Sequence, residues 1–263
     1  MATMHRLPSR RRTGQLTSAG ALLALFLAGP MASSADAAAV VVPLGTSAAF
    51  SVLAGSTVTN TGTTTIQRSV GVSPGTAITG ASTMTIGGTY HSADAVALKA
   101  KNDLTTAYTN AAGQTPRNAE DAELGGETLV GGVYNRPAAM ALTGALTLDG
   151  ANNPNSVWVF QAGTTLTTAS ASSIVLINGA NPCNVFWQVG SSATLGTAST
   201  FVGTVMADQS ITMNTGATLQ GRVLARVAAV NLHANVITSP ECSTDVSVPV
   251  GTPTPPAAKP PPQ

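Results

Sequence analysis

A repeat constrains this chain more than any other feature. Residues 193–207 read ATLGTASTFVGTVMA and residues 211–225 read ITMNTGATLQGRVLA, a match at a spacing of 18 residues. Thr194 falls on Thr212, Leu195 on Met213, Thr197 on Thr215, Thr200 on Thr218, Phe201 on Leu219, Gly203 on Gly221 and Val205 on Val223. A unit this short cannot bury an apolar face alone, so it must stack on copies of itself. Thr alternating with apolar residues and broken by Gly suits short strands rather than helical turns. Each repeat therefore reads as one coil of a β-solenoid, with three short strands and three corners. Stacked strands lie about 4.8 Å apart, so equivalent Thr residues of successive coils form ranks.

The surface this implies is unusual. Charged residues are 9% of the chain, against roughly 25% in an ordinary soluble protein. Thr supplies 37 of the 263 residues instead. A net charge of +1 leaves no concentrated basic surface for nucleic acid. With 43% hydrophobic residues in alternating runs, the chain can form a core and is not disordered.

The first 37 residues read as a secretion signal. Arg6, Arg10, Arg11 and Arg12 form a basic start, residues 19–28 (AGALLALFLA) an apolar centre, and Ala35-Asp36-Ala37 a small-residue cleavage pattern. The apolar run is shorter than the about 20 residues of a membrane anchor. Paired arginines suggest a twin-arginine route, but Thr13 and Gly14 stand where that signal has apolar residues. The mature chain is expected to be secreted and free of the membrane, with a solenoid domain over residues 38–245. Residues 246–263, rich in Pro, read as an extended, disordered tail.

Two cysteines, Cys183 and Cys242, remain after cleavage, and an oxidising compartment favours a disulfide over two free thiols. Such a bridge would pin the C-terminal extension onto the solenoid. Only His91 and His233 could join them as metal ligands, without ligand spacing, so no metal is expected.

Residues 42–88 read as further, less regular coils. Residues 92–112 break the pattern: Ala93, Ala97, Ala100, Leu104, Ala107 and Ala111 recur at three- and four-residue steps. Ser92 suits an N-cap and Gly113 a C′ position. The spacing predicts one amphipathic helix along a sheet face, with Lys99, Lys101 and Asp103 turned to water. Glu120, Asp121, Glu123 and Glu127 are the densest carboxylates. They lack a calcium-loop spacing and read as a solvated connection from helix to sheet. Beyond it, residues 157–161 (VWVFQ) and 185–188 (VFWQ) are two copies of one aromatic strand. Trp158, Phe160, Phe186, Trp187 and Phe201 read as core rather than as a sugar platform. Residues 165–170 are aligned with residues 194–199.

Several segments together carry a family resemblance. They are Phe50–Gly62 (FSVLAGSTVTNTG), Gly71–Gly75 (GVSPG), the helix after His91, Val157–Ser170 and Asn184–Leu195. In the same order across nearly all of residues 43–238, they resemble the secreted bacterial and fungal ice-binding proteins of the DUF3494 type. The resemblance implies a mainly β fold, a right-handed and irregular β-helix of triangular cross-section, with one long α-helix packed alongside. It implies that one flat face binds ice, lined by Thr-Ala/Gly-X-Thr/Asn motifs. Thr197-Ala198-Ser199-Thr200 and Thr215-Gly216-Ala217-Thr218 match in full, as do Thr61–Thr64 and Thr76–Thr79. Thr168-Ala169-Ser170-Ala171 and Thr143-Gly144-Ala145-Leu146 lose the last hydroxyl, and His233-Ala234-Asn235-Val236 departs further. The residues expected to touch ice are therefore Thr197, Ser199, Thr200, Thr215, Ala217, Thr218, Thr168, Ser170 and Thr143.

The expected partner is an ice crystal surface, met by a monomer without a cofactor. Stiff β-branched side chains present hydroxyl and methyl in fixed orientation. Residues i and i+3 of an ideal strand face opposite ways, so both Thr of the motif face outward only where a bulge or corner intervenes. The alternative is an extracellular structural or adhesive solenoid without ice affinity. An enzyme is not expected: Asp149 and Asp208 lie far apart in sequence, with Arg222 and Arg226 on a later coil, and no paired carboxylates stand out.

Overall fold

The computed structural model describes residues 39–240 and Cys242. The signal reading of residues 1–37 and the tail reading of residues 246–263 lie outside the described residues.

The chain first builds two coils: β1 (Phe50–Ala54), β2 (Thr57–Thr61), β3 (Thr64–Ile66), then β4 (Ser69–Val72), β5 (Ala77–Thr79), β6 (Met84–Ile86), ending in β7 (Tyr90–Ser92). Helix α1 (Ala95–Gly113) then leads to the far end of the stack. There β8 (Asn118–Ala119), a bridge from Glu123 to Ala141, and β9 (Thr128–Leu129) make a short end coil. The acidic segment is thus a coil of the solenoid, a correction to its reading as a solvated connection. Stacking back from it come β10 (Gly132–Arg136), β11 (Met140–Leu142), β12 (Ala145–Asp149), β13 (Trp158–Ala162), β14 (Leu166–Thr168) and β15 (Ser173–Ile177). The last coils are β16 (Val185–Val189), β17 (Ala193–Leu195), β18 (Thr200–Ala207), β19 (Ile211–Met213), β20 (Thr218–Ala225), β21 (Val230–His233) and β22 (Val236–Thr238).

All pairing is parallel, and the final coil closes on the first: Val52 pairs with Val223, Val58 with Val230, and Thr65 with Val236. The N-terminal coils therefore extend the C-terminal stack, and α1 spans the discontinuity. The 18-residue spacing is the true register, since Thr194, Thr200, Phe201, Gly203 and Val205 pair with Thr212, Thr218, Leu219, Gly221 and Val223. The preceding coil corrects one alignment. Thr167 pairs with Thr194 and Ser173 leads Thr200, an offset of 27 rather than the 29 read from sequence. The left-handed residues Ala171 (φ 57°) and Ala198 (φ 55°) fix this register, because both turn the same corner.

Three faces result. The first carries β10, β13, β16, the second halves of β18 and β20, then β1 and β4, and it is buried on both sides. Inward, Tyr134, Phe160, Trp187 and Phe201 form a ladder with ring centroids 5.4, 3.9 and 4.9 Å apart. Outward, Leu53, Val159, Phe186, Met206 and Leu224 meet Ala100, Leu104, Ala107 and Ala111 of α1. The narrow Ala stripe is what lets the helix lie close.

The helix begins later than predicted. Ser92 is held in β7, Ala93 turns with φ 50°, and Asp94 caps the helix by accepting from the Ala97 amide at 2.8 Å. Gly113 is the last helical residue rather than a turn beyond it, while Gln161 Nε2 donates to the carbonyls of Ala111 (2.7 Å) and Gln114 (3.1 Å) at the helix end. Lys101 does not face water, a further correction. It is 8% exposed, and its ammonium donates to the carbonyls of Ala225 and of Arg226, the latter at 2.6 Å. The disulfide Cys183–Cys242 is formed and ties the chain beyond β22 to the corner before β16.

Candidate functional site: the threonine-ranked face

The second face is the seven-stranded sheet β11-β14-β17-β19-β21-β2-β5. Strands β17, β19 and β21 bury the flanking residues of an apolar-polar-apolar triplet and turn the middle one outward; β11 does the same around Ala141, and β14 and β2 with Thr168 and Asn60 as one buried flank. Period-2 geometry imposes this where one side of a strand is core. Following the register from strand to strand, the outward residues are Ala141, Thr167, Thr194, Thr212, Asn231, Thr59 and Thr79. A parallel row begins two residues earlier and includes Thr165, Ser192, Ser210 and Thr57. Cross-coil contacts run along the rows: the Ser192 and Ser210 hydroxyls are 3.0 Å apart, and Asn231 Nδ2 donates to Thr212 Oγ1 at 3.4 Å. No Asp, Glu, Lys or Arg stands in these rows.

The face ends at a corner of repeated design. Gly144, Ala171, Ala198, Gly216, Ala234 and Gly62 occupy it with φ between 50° and 78°, a region that tolerates little beyond Gly at no cost. The amide of one corner residue donates to the carbonyl of the residue before the corner on the next coil. Ala171 thus meets Thr197, Ala198 meets Thr215, Gly216 meets His233 and Ala234 meets Thr61 at 2.9–3.1 Å. Thr143, Ser170, Thr197, Thr215, His233 and Thr61 therefore form the rim of the face.

This geometry divides the predicted contact residues. Thr143, Ser170, Thr197 and Thr215 are exposed on the rim. Thr200 and Thr218 lie past the corner, on the third face. Thr168, Ser199 and Ala217 are corrected: they are 3%, 0% and 0% exposed and turn into the coil. There Thr168 Oγ1 accepts from the Gly196 amide at 2.8 Å, and Asn235 Nδ2 donates to the carbonyls of Asn214 and Ala217 at 2.9 and 3.1 Å. The motif spans a corner, so its interior residues build the turn. The central row, Thr59, Thr79, Thr167, Thr194, Thr212 and Asn231, was not among the residues that the sequence pointed to as ice-facing. Its signal was the short triplets Val58-Thr59-Asn60, Leu166-Thr167-Thr168, Ala193-Thr194-Leu195 and Ile211-Thr212-Met213.

Charge collects at the margins. At the end coil, burial pushes the Glu123 carboxyl up, but the amides of Thr143 (2.6 Å) and Gly125 (2.8 Å) and the Thr143 hydroxyl (2.9 Å) outweigh it and hold it below its usual range. Burial, then Glu127 and Asp121, push Glu120 up. Along the opposite margin Arg226 pairs with Asp208 at 2.5 Å and lies over the Tyr108 ring. Among the described residues no three or more His, Cys, Asp and Glu side chains gather as a metal site.

A parallel β-solenoid of three faces, with one covered by a single helix and one tiled by uncharged hydroxyl rows, defines the class. The sequence model of the Ice-binding-like family matches residues 52–238, and the chain belongs to that family. Over 118 residues it is 44% identical to an ice-binding protein of Nostoc sp. (strain HG1), covering 44% of each chain. It is 38% identical over 118 residues to ice-binding protein 1 of Shewanella frigidimarina, covering 13% of that protein. The aligned segment thus spans less than half the length of these curated relatives. Among solved structures, an ice-binding protein from an Antarctic biological consortium superposes with a TM-score of 0.76 at 42% identity, covering 77% of this chain and 93% of that one. One from the ascomycete Antarctomyces psychrotrophicus gives 0.72 at 46% identity, covering 74% and 96%.

Proposed function

We propose that this protein is secreted and adsorbs to ice through the second face, arresting crystal growth and recrystallisation. The central row of Thr167, Thr194, Thr212, Asn231, Thr59 and Thr79 on an uncharged sheet carries this reading. Ice offers no single strong contact, so affinity has to come from many weak contacts that cost little ordering entropy on binding. Thr on a strand meets that need, because its χ1 is already restricted. The rows repeat at about 4.8 Å across strands and about 6.7 Å along them, two residues of rise. Hydroxyls and methyls on such a grid can order a water layer that then joins the crystal, as bridging waters join other interfaces. The relatives' shared description as ice-binding proteins supports the same reading.

The test is to watch single ice crystals and recrystallisation with the purified protein and with a Thr194→Tyr/Thr212→Tyr variant. Both substitutions put a ring on the outward side of a strand and leave the core untouched. Faceted crystals and blocked recrystallisation in the parent, lost in a variant with the same melting curve, would establish the face. Crystals that grow in the parent as they do in buffer would return the protein to the adhesive-scaffold alternative.

A further inference from the structure

We infer that a buried hydrogen-bond relay through Asn235, Thr64 and Asn60 clamps the N-terminal coils to the C-terminal stack and so aligns the two parts of the ranked face. The consequence for ice contact rests on the reading above. Asn235, Thr64 and Asn60 are 1%, 0% and 7% exposed and flank the corner residues Ala234 and Gly62, beneath the rim. Asn235 Nδ2 donates to the carbonyls of Asn214 and Ala217 on the preceding coil, and its Oδ1 accepts from the His233 amide at 2.6 Å. The Asn235 amide donates to Thr64 Oγ1 at 3.1 Å, and that hydroxyl donates to Asn60 Oδ1 at 2.6 Å. Asn60 Nδ2 then donates to the Gly62 carbonyl at 2.8 Å and to Thr83 Oγ1 at 2.9 Å. Side chains thereby join successive coils from β19–β20, through β21–β22 and β2–β3, to the turn before β6.

The relay stands where the solenoid lacks a covalent link. Coils within either block are joined by the chain itself at short corners. Asn235 and Thr64 are 171 residues apart, so at this corner only non-covalent contacts join the blocks. Two backbone bonds flank the relay, from the Ala234 amide to Thr61 and from the Thr65 amide to Asn235, both 2.9 Å. The same corner position on the earlier coils carries no such device. Ser172 donates to Ala169 within its own coil, Ser199 Oγ has no partner among the described residues, and Ala217 has no polar group. A fully paired buried network holds as a unit, because loss of one member strands the others away from water. It therefore opposes local opening at the one junction that the chain does not tie. The central row passes from Thr212 through Asn231 to Thr59 at this junction. A surface that binds by many weak, preorganised contacts loses affinity when its two parts move independently. Asn235, Thr64 and Asn60 are in this sense positioning residues, which touch no ice themselves.

The experiment follows amide hydrogen exchange by NMR, and recrystallisation of ice, in the purified protein and three variants. Thr64→Val replaces the hydroxyl by a methyl group of the same shape, and Thr64→Ser keeps the hydroxyl. Val205→Ala truncates a buried core residue of the first face and serves as the control for a general loss of stability. In Thr64→Val the amides of Ala234 and Thr65 should exchange about ten-fold faster, while those of Ala171 and Ala198 keep the parent rate. The concentration that blocks recrystallisation should rise several-fold in the same variant. Thr64→Ser should match the parent in both measurements. Val205→Ala should speed all four amides alike and leave the blocking concentration unchanged while it stays folded. A Thr64→Val protein in which all four amides speed up alike, or none does, overturns the clamp, as does a Thr64→Ser protein that exchanges like Thr64→Val. Faster exchange at Ala234 and Thr65 with the parent's blocking concentration overturns the alignment of the face. A parent that never blocks recrystallisation overturns the ice reading, and the exchange rates then uphold or overturn the clamp by themselves.

Discussion

The Asn231 side-chain amide donates to the Thr212 hydroxyl 3.4 Å away, at the coil where the N-terminal and C-terminal parts of the solenoid meet. On this coil the central row carries Asn231 rather than Thr, and the rim carries His233. The seam separates Thr167, Thr194 and Thr212 on one side from Thr59 and Thr79 on the other. A row of weak sites gains from unbroken length, because each further aligned contact adds binding without further loss of overall motion. Asn231→Thr with His233→Thr should join the two blocks and lower the concentration that blocks recrystallisation several-fold. An unchanged concentration would mean that Asn231 already serves as a lattice member.

Lys101 gives the fold an alkaline signature. Burial, with the Arg226 guanidinium adding to it, pushes its ammonium down from 10.5 to about 8. Between those values the unfolded chain holds a proton that the native state has released, so stability rises with pH through that window. Tyr134 acts with the opposite sign. Burial, and next to it Glu120, push its hydroxyl up from 10.0 to about 12. Its contribution is present below about pH 10 and is lost above, as the unfolded tyrosine ionises first. Melting curves should show the parent gaining on a Lys101→Met variant from about pH 8 to about pH 10, by a few kcal/mol at most. Against Tyr134→Phe, the parent should lose ground above about pH 10. Parallel pH profiles for parent and Lys101→Met would mean that the two backbone carbonyls fully replace the water lost on burial.

The corners make two predictions of opposite direction. Ala198 sits at φ 55°, which costs a non-glycine residue about 1–2 kcal/mol. Glycine removes that cost but adds unfolded-state entropy worth about 0.5–1 kcal/mol. Ala198→Gly should therefore stabilise by about 0.5–1 kcal/mol. At the corner where β20 turns toward the helix-covered face, a Cβ on Gly221 would lie 1.9 Å from the Gly203 carbonyl oxygen. Gly221→Ala forces two coils apart and should cost on the order of 3 kcal/mol. Denaturant midpoints measure both, and a Gly221→Ala protein as stable as its parent would show that the coils can spread.

Much of this was legible in the sequence, for identifiable reasons. The 18-residue match gave the true register because three corners of fixed geometry allow no slippage between Thr194 and Thr212. The Ala stripe gave the helix, because close packing on a sheet leaves no other pattern. Two things were hidden. A motif that spans a corner hides which of its members point inward, so Ser199 and Ala217 read as ice-facing, while Thr167 and Thr194, whose ranks the repeat already showed, fell outside the motif. Lys101 read as exposed because helical spacing alone does not show the carbonyls of Ala225 and Arg226 waiting beside it. The discontinuity, with β1 paired to β20, joins segments over 150 residues apart, and no local pattern announces it.

The disulfide sits away from the ranked face, which separates stability from function. Cys242 follows β22 and is bonded to Cys183 across 59 residues. Just before it, Ser239 shares a hydrogen bond with Ser51 at 2.8 Å, and the Pro240 carbonyl accepts from Arg68 at 3.3 Å. These contacts hold the end of the chain against the first coil, at the seam where the solenoid closes on itself. Closing a loop of this size restricts the unfolded chain and is worth about 2–4 kcal/mol. Cys183→Ser/Cys242→Ser, or reduction of the parent, should lower the melting midpoint accordingly. The rows from Thr167 to Thr212 stack on β14, β17 and β19, far in sequence from the released segment. The variant should therefore still shape ice near 0 °C, where enough of it stays folded. Loss of crystal shaping in a reduced protein that remains folded at that temperature would show that closure of the seam, and with it the alignment of Thr59 against Asn231, depends on the covalent tie.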